Sequence, residues 1–273
     1  MEKKKILFVS QEIYPFLPKT ELSNTARKLP QGIQEAGKEI RVFMPRFGSI
    51  NERRHQLHEV IRLSGMNLVI NDVDHPLIIK VASISTARMQ VYFIDNEEFF
   101  KRKHTVINDK GVYFPDNDER SMFFCRGVLE TVKKLGWQPD VIHCHGWMTA
   151  PMSLYVKKLY SKDPHFADTK VVYSLYDDAF TQNWDNRFSE KLAFDGFDKE
   201  VTDQFTDTSH TNIARVAIKY CDGVNIASET LSDELTKVYS EATCLKQDYV
   251  PEEQQNKVMS DFFDKVLEES VVI

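Results

Sequence analysis

Polar side chains follow three apolar segments that the sequence predicts to be buried strands. Glu12 follows KILFVS, His145 ends VIHCH and Trp147 comes after it, and Tyr176 and Asp177 follow VVYSL. In open α/β sheets, ligands bind in the crevice at the carboxyl ends of the strands. These five residues are therefore the first candidates for a binding site, and its position would be that edge of the sheet.

Two residue clusters at this edge invite other interpretations. His143 and His145 alternate along one predicted strand and so share a face, but no C-x-x-C or H-x-x-x-H segment is present to complete a zinc site. Asp177 and Asp178 have the side chains needed for acid–base work, although adjacent carboxylates after a strand are more typical of a turn. We therefore predict no metal site, no cofactor and no assigned catalytic residue.

Composition excludes several classes of function. The chain has 273 residues and a formal net charge of −6, without the basic patch that nucleic-acid binding requires. It has no apolar stretch near the ~20 residues that span a bilayer, and MEKKKILFVS is not followed by a signal-cleavage pattern. Four scattered cysteines favour reduced thiols. We expect a cytoplasmic protein that binds neither nucleic acid nor membrane.

The elements that must position the candidate residues follow from the apolar pattern. KILFVS, IRVFMP, VIHCH, VVYSLY and GVNIAS are continuous apolar segments, mostly separated by helical patterns, which is typical of a parallel sheet. Between about Ile61 and Ile94, three strand-like segments follow one another without helices, which predicts an antiparallel meander. The predicted fold class is α/β, a Rossmann-like parallel sheet flanked by helices with a small antiparallel meander.

Capping residues set the expected bounds of the helices. The first helix is predicted over Ser23–Ala36, with Ser23 or Asn24 as its cap, and Ser228 is the predicted cap of a later helix. An amphipathic helix is predicted over 251–270, and its apolar stripe contains Val258, Phe262, Val266 and Leu267. We expect one domain over residues 1–245, with a C-terminal helix in 246–273 packing on it.

Four segments, in chain order, together resemble one family. They are ILFVSQEIYPF with the LPQGIQEAGKEIRVFMPRFGSI that follows, YFPDNDERSMFFCRGVLE, WQPDVIHCHGWMTA and VAIKYCDGVNIASETLSDEL. The set is similar to bacterial glycogen synthases and plant starch synthases, glucosyltransferases that use ADP-glucose. The resemblance implies the N-terminal domain of the two-domain GT-B fold, whose active site lies between the domains. It adds Asp116, Asn117 and Arg120 as candidate site residues, and the second, donor-binding domain is expected to be absent.

The chain departs from the family at its phosphate loop, which reads K-x-G-G-L in the family. In an ungapped register the family lysine falls on Pro18, and the two glycines fall on Thr20 and Glu21. Glycines let a backbone approach phosphate closely, whereas the Glu21 carboxylate would repel a diphosphate. Lys19, one position away, is the candidate that would compensate in part. The histidine that lines the family's sugar site is replaced by Tyr176.

These departures lead to three functional hypotheses. In the first, the chain is a glycogen synthase-like domain, inactive alone, that binds an α-glucan or a protein partner, either a full-length glycogen synthase or a second copy of itself. The alternative is an active ADP-glucose-dependent α-1,4-glucan glucosyltransferase that a partner chain completes. The third is a small-molecule-binding α/β protein whose ligand lies near Glu12 and His145.

Overall fold

Within residues 3–269, which the computed structural model describes, a mostly parallel sheet of ten strands forms the centre of the protein. The strands are β1 (Lys5–Ser10), β2 (Glu39–Pro45), β3 (His58–Glu59), β4 (Met66–Ile70), β5 (Val73–Ile84), β6 (Met89–Asp95), β7 (Val141–His145), β8 (Lys170–Leu175), β9 (Gly223–Ile226) and β10 (Leu245–Gln247). The helices are α1 (Glu21–Glu35), α2 (Glu52–His55), α3 (Glu97–Phe100), α4 (Asn117–Lys134), α5 (Pro151–Leu154), α6 (Phe188–Phe194), α7 (Lys199–Thr202), α8 (His210–Lys219), α9 (Asp233–Glu241) and α10 (Glu252–Glu268). No helix in this described part of the chain is both long enough and apolar enough to cross a membrane.

The order of the strands confirms the predicted fold class. It runs β10-β9-β8-β7-β1-β2-β6-β5-β3, and β4 pairs with β5 beside this path. The meander is antiparallel, since β5 pairs with both β4 and β6, and β6 joins the parallel part through β2. In the parallel part, Ser10 lies beside His145, which lies beside Ser174. The carboxyl ends of β1, β7 and β8 are therefore adjacent.

Two predicted helix starts are wrong. Helix α1 begins at Glu21, because Thr20 and not Ser23 is its N-terminal cap. Ser23 is the third helical residue, and its hydroxyl completes a capping box with Thr20. Helix α9 begins at Asp233, where Ser232 is the cap, so Ser228 is left outside the helix.

Helix α10 packs against α1 and the sheet. Its buried residues are Met259, Phe262, Phe263 and Val266, so the buried stripe includes Met259 and Phe263, whereas Val258 and Leu267 are only partly buried. The Phe263 ring lies 6.3 Å from the ring of Phe8 in β1, centroid to centroid. On α1, a Cβ at Gly32 would lie only 2.1 Å from the Asn256 side chain, which would have to move if any other residue stood there.

Candidate functional site

An open cleft of about 330 Å³ lies at the carboxyl ends of β1, β7 and β8. Three aromatic side chains contribute to its wall: Tyr113, Trp147 and Tyr176. The other lining residues that carry no charge are Gln11, Thr20, Leu22, Val106 and Ser228. The cleft is thus formed where the parallel strands end, which is the edge that the sequence predicts.

The charged residues that line the cleft are all acidic. They are Glu12, Glu21, Asp177 and Asp178, and no Lys, Arg or His of residues 3–269 is among the lining side chains. Burial raises the pKa of Glu12, and the nearby Asp178 adds to this rise, whereas a hydrogen bond from Thr20 opposes it. Carboxylates accept hydrogen bonds from hydroxyl groups and repel anions. The arrangement therefore favours a ligand that carries hydroxyl groups and no negative charge.

Local side chains cap the N-terminus of α1, which faces this cleft. The Thr20 hydroxyl oxygen accepts a hydrogen bond from the Ser23 amide at 3.0 Å, and the Thr20 amide donates to the Ser23 hydroxyl at 2.8 Å. The Thr20 hydroxyl also donates to Glu12 at 2.9 Å. Thr20 has a φ of −118°, and within the described residues none of 18–21 has a positive φ. The segment therefore does not need glycine.

The turn after β7 does require a glycine. Gly146 has a φ of +86°, and a Cβ there would lie 2.9 Å from the Cβ of Gln11. This close approach lets the Gln11 side-chain oxygen accept a hydrogen bond from the Met148 amide at 3.0 Å. The Asp178 carboxylate accepts one from the Trp147 amide at 3.2 Å. Two backbone amides of the turn are thus tied to neighbouring strand ends.

Other aromatic rings pack against the ring of Trp147. Its ring centroid is 5.2 Å from that of Phe180 and 6.0 Å from that of Trp184. His210, the first residue of α8, lies 3.3 Å from the Asp178 carboxylate and contacts the Phe180 ring edge-on. These contacts fix Trp147 and Asp178 in the cleft wall, since each is held from more than one side.

His145 lies inside the protein and not in the cleft. It is fully buried, and its Nδ1 is 2.8 Å from the Tyr176 hydroxyl, while its Nε2 is 3.2 Å from Nδ1 of His143. His143 in turn contacts Ser174 at 2.7 Å and Asn225 at 3.2 Å. Burial lowers the pKa of His143 to about 3 and lowers that of His145 well below its usual range. Both rings are neutral at pH 7, and the network supports the hydroxyl of Tyr176.

Arg120 is also fully buried, beneath the segment that leads from α3 to α4. Its guanidinium donates to the carbonyl of Phe99 at 2.8 Å, the carbonyl of Thr105 at 2.7 Å and the side chain of Asn117 at 2.6 Å. Burial lowers the pKa of Arg120 to about 9. The side chain therefore remains charged at pH 7, and it holds this loop in place.

Asp116 and Asn117 hold the same loop. The Asp116 carboxylate pairs with the Arg102 guanidinium, and the Asn117 amide donates to the Val106 carbonyl at 2.9 Å. Neither side chain lines the cleft, but the loop between them and α3 brings Val106 and Tyr113 to its wall. These residues shape the cleft through the loop.

Some of the candidate residues from the sequence line the cleft, and others do not. Glu12, Trp147, Tyr176 and Asp177 line the cleft, whereas Lys19 is exposed and lies outside its lining. His145, Asp116, Asn117 and Arg120 are also outside the lining.

Sequence reasoning did not place Ser228 or Tyr113 in a site, although both line the cleft. Ser228 ends the predicted strand segment GVNIAS, so the strand-end rule that selected Glu12 would also have found it. Tyr113 carries no such signal, since it lies in an irregular loop. Despite the number of acidic residues at the cleft, residues 3–269 contain no group of three or more His, Cys, Asp or Glu side chains arranged to hold a metal.

Comparisons with known proteins agree with one another. The family model of the starch synthase catalytic domain matches residues 5–247. The glycogen synthase of Chlorobaculum tepidum is 35% identical over 234 residues, which cover 85% of this chain and 47% of that protein. The glycogen synthase of Chlorobium limicola is 38% identical over 173 residues, which cover 63% of this chain and 35% of that protein.

A solved structure extends the comparison to the fold. The catalytic domain of starch synthase IV from Arabidopsis thaliana, bound to ADP and acarbose, aligns with a TM-score of 0.68 at 17% identity. The alignment covers 97% of this chain and 50% of that one, and the chain spans about half the length of the curated relatives it matches. The family model and the sequence identities show that the chain belongs to the glycogen and starch synthase family of glycosyltransferases.

Proposed function

We propose that this chain is a synthase-like domain that binds an α-glucan in the cleft and does not transfer glucose from ADP-glucose by itself. The observation that carries the proposal is the charge of the cleft, whose four charged lining residues within the described part of the chain are carboxylates. Glucosyl transfer from a nucleotide sugar requires the diphosphate to be neutralised and the anomeric carbon to be held in place. Carboxylates at the α1 terminus oppose the first requirement.

The same lining suits a glucan. Sugar hydroxyls donate to carboxylates, and the apolar face of a sugar ring packs on aromatic side chains. Tyr113 is only partly buried, so its ring is available for such packing, and Asp177 is an exposed carboxylate of the same lining. The related Arabidopsis starch synthase domain was solved with ADP and acarbose, which makes both compounds suitable probes here. In this proposal residues 1–245 form the synthase-like domain, which α10 covers.

Native gel electrophoresis with and without glycogen tests the binding half of the proposal. We expect glycogen to retard the wild-type chain, and Tyr113→Ala to reduce the retardation. Tyr220→Ala is the matched control, because Tyr220 is another partly buried tyrosine but precedes β9, at the opposite edge of the sheet from the cleft. No retardation of the wild-type chain, or an equal loss in both variants, would contradict glucan binding at this cleft.

A transfer assay tests the other half. The purified chain, incubated with ADP-glucose and glycogen, is expected to release no ADP above a protein-free blank. Reproducible release of ADP coupled to growth of the glucan would refute the claim that the chain is inactive alone.

The second candidate function is an active glucosyltransferase that a partner completes. It is favoured by one observation, that the chain belongs to a family of glycosyltransferases. Transfer that appears only when a separately purified C-terminal half of the Chlorobaculum tepidum enzyme is added would support it. The same mixture without transfer, in which the two chains also migrate separately on size exclusion, would leave the first proposal as the better one.

A further inference from the structure

Glu21 places a negative charge at the N-terminus of α1, inside the cleft. It is the first residue of a 15-residue helix, and its side chain lines the cleft. A helix N-terminus carries partial positive charge and unpaired amide groups, which together attract anions. Here the protein's own carboxylate lies where this attraction is strongest.

A hydrogen bond to Ser228 holds the Glu21 carboxylate in place. The Ser228 hydroxyl donates to Glu21 Oε2 at 2.6 Å, and its oxygen accepts a hydrogen bond from the Asp177 amide at 3.1 Å. The hydroxyl is thus fixed between a strand end and the helix, although the two side chains are 207 positions apart in the chain. The carboxylate is therefore built into the wall of the cleft.

One of the backbone amides that could otherwise bind an anion also has a partner. The Ser23 amide, in the first turn of α1, donates to the Thr20 hydroxyl oxygen at 3.0 Å. The same hydroxyl donates to Glu12, which brings a second carboxylate to within 2.9 Å of the helix cap. An incoming phosphate would have to displace the cap and approach two negative charges.

We propose that Glu21, held by Ser228, is a specificity-determining residue that makes the cleft select uncharged glucan over ligands that carry phosphate. This inference deepens the proposed function and rests on it for the identity of the preferred ligand. Among the four carboxylates of the lining, Glu21 is the one in the first turn of α1. Asp178 serves the turn after β7 instead, since it accepts from the Trp147 amide.

Titration with inorganic pyrophosphate tests the proposal on the full chain. Glu21→Gln keeps the size of the side chain and removes its charge, so we expect pyrophosphate to bind on the order of tenfold more tightly at low salt. The increase in pyrophosphate affinity should shrink as salt is added, because Glu21 is exposed and salt screens exposed charges. The Ser228 hydroxyl still has an acceptor in this variant, because the amide oxygen of the new side chain can take its hydrogen bond.

Two further variants locate the effect. Glu35→Gln makes the same change at the far end of α1, about 21 Å away at 1.5 Å per residue, and is expected to leave pyrophosphate affinity unchanged. Ser228→Ala releases the Glu21 carboxylate from its hydrogen bond but keeps the negative charge. The increase in pyrophosphate affinity should therefore be smaller in Ser228→Ala than in Glu21→Gln.

The proposal is overturned if Glu21→Gln binds pyrophosphate no better than wild type, including the case in which neither binds measurably. An equal increase in pyrophosphate affinity in Glu35→Gln would also overturn the proposal, because the increase would then come from the net charge of the protein. A wild-type chain that glycogen does not retard would refute the proposed function separately, since pyrophosphate titration does not depend on glucan.

Discussion

Replacing Arg120 by methionine tests whether a fully buried side chain shapes the cleft without touching it. The guanidinium holds the backbone carbonyls of Phe99 and Thr105 and the side chain of Asn117. It also lies over the rings of Phe47, Phe100 and Phe114, at 5.3–5.6 Å from their centroids. Methionine fills part of the same volume but donates no hydrogen bond, so all three acceptors lose their donor.

The expected cost follows from those three hydrogen bonds. Each buried acceptor left without a donor costs about 1–3 kcal/mol. The sum is partly offset because the variant no longer buries a charge, a burial that in the wild-type chain lowers the pKa of Arg120 to about 9. We expect the free energy of unfolding to fall by about 3 kcal/mol, which corresponds to a drop in Tm of roughly 6–12 °C for a domain of this size.

Urea unfolding and glycogen gels measure the two consequences. At a temperature where Arg120→Met remains folded by circular dichroism, we expect its retardation by glycogen to fall at least as far as that of Tyr113→Ala, since the loop that carries Tyr113 is released. Arg187→Met is the control, because Arg187 is exposed and its guanidinium pairs with Glu190, three residues away on the surface. A loss of stability below 1 kcal/mol, or full glucan binding by the folded variant, would refute this account of Arg120.

Three other predictions concern stability and its pH dependence. Phe263→Ala removes a fully buried ring of α10 and should lower the free energy of unfolding, measured by urea titration, by about 3–5 kcal/mol. Lys257→Ala changes an exposed residue of the same helix and should lower it by less than about 0.5 kcal/mol. Equal losses in the two variants would show that α10 does not pack on the domain as described. Burial raises the pKa of Asp118 from 3.8 to about 6, against the attraction of Lys191. The stabilisation from its protonated form is therefore fully present below pH 3.8 and lost as pH rises through 6. The wild-type chain should lose about 2 kcal/mol of stability relative to Asp118→Asn between pH 4 and 7, and parallel pH profiles would contradict this. Gly146→Ala should cost about 2 kcal/mol or more, because its φ is +86° and the new Cβ meets Gln11; an unchanged Tm would contradict that geometry.

Much of the fold could be predicted because its signals are local. KILFVS and VIHCH each contain several consecutive or closely spaced apolar residues, which favours strands covered on both faces, and the structure places them as neighbours in the parallel part of the sheet. The edge where the cleft lies follows from the direction of those strands alone. Glu12, Trp147 and Asp177 lie two positions beyond the ends of β1, β7 and β8, and they line the cleft for this reason.

The sequence could not show which of two equally suitable capping residues begins a helix. Thr20 and Ser23 are both good capping residues, and the chain uses Thr20 because Ser23 then completes the capping box from inside the helix. Ser228 and Ser232 present the same ambiguity at α9. Ser228 instead bonds to Glu21, a partner that only the folding of distant segments brings near.

The sequence by itself determined the family, the α/β class and the kinds of side chain that gather at one edge of the sheet. Tertiary structure determined which of them a ligand can reach. Strand pairing and the helices that cover the sheet bury His145 against His143 and Tyr176, and they bury Arg120 beneath a loop. Whether a polar residue binds ligand or supports its neighbours depends on contacts between segments far apart in the chain. The acidity of the cleft has the same origin, since it is the sum of charges from separate segments that meet only in space.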